Sequence, residues 1–171
     1  VGQFIPRKGF DVLLAAMEYI PSNVGVYFVG GDPTEEYLNM KKRLDLVNVH
    51  FIGFKSKMEL AKYYKAADVF VLPTREDIWG LVIQEAMGYG LPIISTVNCA
   101  AAHEMVENGK NGYIVSVENP KILAENILNV LRDEDKRKQF CVESLKQIRK
   151  YTIEEMARYH LTKFNSKSEK M

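Results

Sequence analysis

The feature that most restricts the fold is an alternation. Short apolar runs of four to six residues take turns with longer stretches whose apolar residues recur at helical spacing. The runs are residues 1–5, 24–29, 49–52, 68–72, 92–96 and 113–117, most of them bounded by Gly, Pro or Asn. After the first, Phe10, Leu13, Leu14 and Met17 sit on one helical face. Further helices are predicted over 34–46, 56–66, 81–89, 101–106, 120–131, 134–151 and 153–164. Ser56 and Glu59 have the capping-box form, and Pro120 suits a first helical turn. Residues 165–171 read as a polar tail expected to fray.

Strand runs apolar on both faces, alternating with helices, predict an α/β fold: a parallel sheet covered on both sides. About six such strands make a doubly wound, Rossmann-like layer, and ligands of such layers bind at the carboxyl ends of the strands. At 171 residues, 47% hydrophobic and 26% charged, the chain is one ordinary globular domain. Lys plus Arg (23) nearly balances Asp plus Glu (22), so bulk charge draws in neither nucleic acid nor membrane. Cys99 and Cys141 fall in apolar or helical segments and read as buried thiols of a reducing compartment, with a disulfide as the alternative. No run of eighteen apolar residues and no signal-peptide pattern occurs. The chain opens at Val1 inside an expected strand, as a fragment of something longer would.

The loops after strands are where chemistry is expected. The first is Gln3-Phe4-Ile5-Pro6-Arg7-Lys8-Gly9, which sets Arg7 and Lys8 beside a glycine at a helix start. Unpaired helix amides and two adjacent cations suit phosphate oxygens, although a solvated loop carries the same charges. The second is Pro73-Thr74-Arg75-Glu76-Asp77-Ile78-Trp79-Gly80, which leads into a helix. Glu85 lies on that helix, roughly 7 Å along the axis from Gly80. Asp77 and Glu85 thus flank the amides of Gly80, Leu81 and Val82, a layout that fits a diphosphate between two hydroxylated rings. Glu85 precedes Ala86, Met87 and Gly88 in a largely apolar helix, where an unpaired carboxylate is costly, the alternative being an exposed helix residue. Trp79 reads either as a contact to the ligand or as core.

Other residues read as structural. His103 and Glu104 follow the 92–96 run and could reach the ligand face, although a lone histidine there is more often a surface or capping group than a catalyst. His50 and His160 lie away from these loops, and Tyr63, Tyr64 and Phe70 read as packing. No His, Cys, Asp and Glu set has metal-ligand spacing, and no P-loop or nucleophile elbow occurs in context.

These residues resemble the glycosyl transferases group 1 (glycosyltransferase family 4) of GT-B fold. The matching positions are Asp77, Trp79-Gly80, Glu85-Ala86, Gly90 and Pro92-Ile93-Ile94. Gly2, Lys8-Gly9, Glu104 and Asn111-Gly112-Tyr113 extend the match. The resemblance implies a single domain, residues 1–171, that is the C-terminal nucleotide-sugar-binding half of a two-domain retaining enzyme. The N-terminal acceptor domain would be absent. It implies roles as well: Lys8 on the diphosphate, Glu85 on the ribose hydroxyls, Asp77 on hydroxyls of the donor sugar, amides 80–82 on phosphate and sugar. Lys8 and Asp77 would be catalytic. Gln3, Arg7, Trp79, Gly80, Leu81, Val82 and Glu85 would join Lys8 in binding the donor. Gln3 stands where the family usually has Arg, and Asp77 where Glu is more frequent.

No metal and no cofactor are implied; the donor, a UDP- or GDP-sugar, is a substrate. The partners implied are that donor and the missing N-terminal domain, with no nucleic acid. The acceptor would be a saccharide or lipid-linked, in cell-surface polysaccharide synthesis, with the enzyme cytoplasmic at the inner membrane face. The isolated chain is expected to bind donor weakly and transfer nothing. Residues 153–164 resemble the helix that crosses back to the other domain, so their apolar face would be exposed. The rivals are a nucleotide-sugar epimerase-like domain, a non-catalytic nucleotide-binding module and a flavodoxin-like interaction domain.

Overall fold

The computed structural model describes residues 1–168. After a 3-10 turn at Pro6–Lys8 the order is α1 (Phe10–Ala16), β1 (Val26–Val29), α2 (Glu35–Arg43), β2 (Val49–Ile52), α3 (Lys57–Ala66) and β3 (Phe70–Leu72). There follow α4 (Leu81–Gly88), β4 (Ile93–Thr96), α5 (Ala100–Met105), β5 (Gly112–Val115), α6 (Pro120–Leu131), α7 (Glu134–Ile148) and α8 (Ile153–Ser168). Except for β2, strands are shorter than the apolar runs, because run ends such as Val24 and Asp68 lie in the turns that feed them. The capping box forms as expected: Glu59 N–H donates to Ser56 Oγ, and Ser56 N–H to Glu59 Oε2 at 3.0 Å. Pro120 opens α6, whose Asn119 side chain caps Ile122 N–H.

All pairing among the strands is parallel. β1 pairs with β2, Val26 opposite Val49, and β3, β4 and β5 form a second ladder with Ile93 central. Neighbouring strand residues point to opposite faces, and in β4 both faces are buried. Ile93 packs with Tyr64, Leu72, Ile83, Met87 and Met105; Ile94 packs with Phe10, Leu14, Phe28, Leu123 and Phe140. Each such side chain stabilises the fold by about 1.5–3 kcal/mol. Helices therefore cover both faces, and the α/β, Rossmann-like reading stands.

The strand count does not. Five strands occur among the described residues, in ladders of two and three rather than one layer of about six. Residues 1–5 make a single ladder bond, Gly2 N–H to Val29 O at 2.8 Å. Gly2 has φ +144°, Ile5 N–H turns back to Gln3 O, and the Pro6 turn follows at once. An opening of about 900 Å³ lies between β1 and β3, lined by Val26, Val29, Tyr63, Phe70 and Val71. At the other end, α8 continues through Ser168, so residues 165–168 are helical where a tail was expected; the tail's last residues, 169–171, lie outside the described residues. Ile153, Met156, Tyr159 and Leu161 are exposed, as expected of the α8 apolar face.

Candidate functional site

The first loop is anchored from inside. Phe4 is buried among Phe10, Tyr37 and Phe51, with ring centroids 5.2, 5.1 and 5.3 Å away. Edge-to-face pairs of this kind contribute about 0.5–1.5 kcal/mol each beyond their buried area. Gly9 then takes φ +64°, and a Cβ there would lie 2.0 Å from Pro73 O. That contact seats the first loop against the second. Arg7 O accepts from Arg75 N–H and from Thr74 Oγ1, each at 2.8 Å.

The seating joins residues distant in the chain. Lys8 Nζ donates to Asp77 Oδ2 at 2.6 Å, both side chains largely buried. Arg7 Nη1 donates to Glu76 O at 3.0 Å and lies 3.8 Å from Asp77 Oδ1, so its charge falls on the same acid. Gln3 is exposed and lines a separate cavity of about 260 Å³ with Gly30, Phe54, Lys55 and Leu60.

Arg75, not singled out in the sequence, fastens the two loops together. It forks onto Asp11 Oδ1 and Oδ2 at 2.9 and 2.6 Å, donates to Pro6 O at 2.5 Å, and reaches Glu118. Partial burial would raise the Asp11 carboxyl, but the bonds and charge of Arg75 outweigh it and hold the carboxyl below its ordinary value. The partners lie 64 and 43 residues from Arg75, and no local spacing announces them.

Asp77 is fixed by its backbone, its N–H donating to Asn98 O and its carbonyl accepting from Ala100 N–H. Gly80 caps α4 at φ +92°, and its amide with those of Leu81 and Val82 opens the helix without intrahelical acceptors. A Cβ on Gly80 would lie 2.8 Å from Cys99 Sγ, and burial pushes that thiol's pKa up. Trp79 is 37% exposed, so the core reading of its ring does not hold. Leu81 and Ile78 are exposed beside it.

Glu85 needs a correction: it is exposed rather than enclosed by an apolar helix, because α4 turns this position outward. Its partner is Tyr64, whose hydroxyl donates to Glu85 Oε2 at 2.9 Å. Tyr64 was legible only as packing.

Other candidates stay structural. His103 is exposed with Nε2 2.5 Å from Val97 O, and Glu104 accepts from Tyr151 OH. His50 stacks on Tyr27 at 4.5 Å. Buried Asn111 bridges Met105 O and Glu107 N–H, and a Cβ at Gly112 would lie 1.9 Å from Ile93 O. The Asn-Gly pair thus serves packing. Among the described residues no helix is long and apolar enough to cross a membrane, and no group of three or more His, Cys, Asp or Glu has the arrangement of a metal site.

Residues 1–147 match the sequence profile of "Glycosyl transferases group 1". An uncharacterized glycosyltransferase of Methanocaldococcus jannaschii is 32% identical over 139 residues, which are 81% of this chain and 39% of that protein. The capsular polysaccharide biosynthesis glycosyltransferase CapM of Staphylococcus aureus is 31% identical over 80% of this chain and 37% of its own length. This chain thus spans less than half of each relative. Among solved structures, Anabaena HepE in complex with UDP-glucose superposes with a TM-score of 0.78 at 26% identity, over 86% of this chain and 43% of that one. The C-terminal domain of LpcC from Francisella tularensis gives 0.77 at 24%, over 90% of this chain and 84% of that one.

Proposed function

This chain belongs to the glycosyl transferases group 1 family, and from that premise we propose that it is the donor-binding half of a two-domain, retaining, family 4 glycosyltransferase. The enzyme would move a sugar from a nucleoside diphosphate sugar to a saccharide or lipid-linked acceptor without a metal. The observation that carries this reading is the meeting of Lys8, Asp77 and the open amides of α4 at one edge, with Glu85 further along the same helix.

In this reading Lys8 and the amides of Gly80, Leu81 and Val82 hold the diphosphate. The bond from the anomeric carbon to the diphosphate oxygen breaks, and negative charge builds on the leaving group. A fixed ammonium and oriented amides in a partly dry site stabilise that charge without reorganising. Asp77 takes hydroxyls of the donor sugar and Glu85 those of the ribose. Trp79 and Leu81, exposed at the mouth, cover the sugar side. Arg7 contributes charge next to Asp77, while Gln3 belongs to the 260 Å³ cavity beside Phe54 and Lys55, a place for the base. UDP is the first nucleotide to try, because HepE is described with UDP-glucose.

The acceptor domain lies outside this chain, as the shares of the relatives covered support. The 171-residue chain alone would bind donor weakly and transfer nothing. The name of CapM supports a place in cell-surface polysaccharide assembly, and the enzyme would work at the cytoplasmic face of the membrane.

The test is a titration of the protein with UDP, GDP and ADP, free and sugar-linked, beside Glu85→Ala. Binding of one nucleotide series, weakened in Glu85→Ala, supports the assignment. No binding to any of them, or binding indifferent to Glu85→Ala, sinks it. Anomeric configuration of the product, read by NMR on the full-length enzyme, decides retention.

A further inference from the structure

We propose that Tyr64 is a positioning residue for the nucleotide ribose: its hydroxyl sets the Glu85 carboxylate so that the other oxygen faces the ribose hydroxyls. The proposal rests on the donor-binding reading above and deepens it.

Three observations carry it. Glu85 is exposed on α4, where a glutamate ordinarily samples several rotamers, and Tyr64 makes the one hydrogen bond to its carboxylate found among the described residues, 2.9 Å to Oε2. Tyr64 itself has little freedom. It is 4% exposed, lies nearly parallel to the Tyr89 ring at 5.3 Å and 15°, and packs against Phe70 at 5.9 Å. A ring clamped on both sides delivers its O–H to one place, so the hydrogen bond costs little further entropy.

The third observation is protonation. Burial first, then the adjacent Glu85 charge, push the Tyr64 phenol well above its ordinary value, so it stays a donor at any working pH. A tyrosine in this arrangement donates one hydrogen bond and cannot neutralise the acid. The second Glu85 oxygen, Oε1, is therefore left as an acceptor for a sugar hydroxyl. The requirement on the ligand is a vicinal diol at the right distance, which a ribonucleotide has and a 2′-deoxyribonucleotide lacks.

The experiment measures calorimetric binding of UDP, GDP and ADP, each against its 2′-deoxy counterpart, to the full-length protein. Wild type, Tyr64→Phe, Glu85→Gln and the double variant are compared. Tyr64→Phe keeps the ring and its stacking, and far-UV circular dichroism with a thermal melt verifies the fold. The expected result is a ribose preference in wild type that falls by about tenfold in Tyr64→Phe, with 2′-deoxy binding unchanged. In the Glu85→Gln background, Tyr64→Phe should change nothing further, since both act through one contact. Equal weakening of ribo and deoxy forms, or an unchanged preference, overturns the positioning role while leaving the donor assignment standing. Failure of wild type to bind any of the three ribonucleotides overturns both.

Discussion

Lys8 Nζ lies 2.6 Å from Asp77 Oδ2, although 69 residues separate them. The two side chains are 15% and 11% exposed, so the pair sits where a charge-assisted bond is little screened. If Lys8 serves phosphate and Asp77 serves the sugar, their substitutions should separate. Lys8→Ala should weaken UDP and UDP-glucose alike by about ten- to a hundredfold. Asp77→Asn should leave UDP binding unchanged or tighter, because the acid competing for Lys8 is gone, while the added affinity from the glucose is lost. Calorimetry on the four pairs reads this directly, and equal losses of UDP in both variants would refute the division of labour.

Gly80 meets Cys99 in a way that makes its glycine obligatory. At φ +92° a side chain is strained, and a Cβ would lie 2.8 Å from the Cys99 sulfur. Gly80→Ala should destabilise the protein by about 2 kcal/mol and lower Tm by about 4–8 °C. Gly80→Ala with Cys99→Ala removes the steric part and should recover a portion of that loss. Strict additivity of the two substitutions in a thermal melt would show that the sulfur contact is not the cause.

The Lys8–Asp77 pair and the Gly80–Cys99 contact show what was legible in sequence and what was not. The alternation of runs identified the α/β layering, because strands buried on both faces have to be apolar throughout, as Ile93 and Ile94 are. The capping box at Ser56 and Glu59 and the helix opening at Pro120 were legible because their partners lie within one turn. Residues 1–5 misled, since an apolar run does not reveal that Gly2 and Pro6 bend the chain after one ladder bond. Glu85 misled for a related reason: the composition of a helix is apolar on average, while burial depends on which face a position occupies. Tyr64 and Arg75 were missed because their bonds join residues 21 to 69 positions apart, and a tyrosine at helical spacing looks like core until its hydroxyl is placed. Asp77 and Lys8 were found individually, and folding supplied their pairing.

Trp79 provides a direct reporter. It is the chain's one tryptophan, 37% exposed, and its carbonyl is pinned by Ala101 N–H at 2.8 Å. With the backbone held, a donor sugar arriving between Asp77 and the α4 amides removes water from the indole without moving it far. UDP-glucose should therefore shift the emission to the blue, and UDP alone should do so less. Emission unchanged at saturation, with binding verified by calorimetry, would place the sugar away from Trp79.

Arg75 links stability to pH. Its fork onto Asp11 holds that carboxyl below the ordinary value near 3.9, despite partial burial that works the other way. A group whose folded pKa is depressed contributes stability above its unfolded pKa, and the contribution disappears as pH falls through the folded one. Asp11 and Arg75 are each about a third exposed, so screening reduces the effect, and Arg75→Gln should lose about 1 kcal/mol at pH 7. Once pH has fallen through the folded Asp11 value and the carboxyl is protonated, the variant and wild type should come together. Urea unfolding at both pH values measures the gap. A gap of the same size at low pH would mean that Arg75 acts through packing, not charge. The same substitution frees Pro6 O and loosens the turn that carries Lys8, so UDP binding at pH 7 should weaken several-fold even though Arg75 reaches no phosphate.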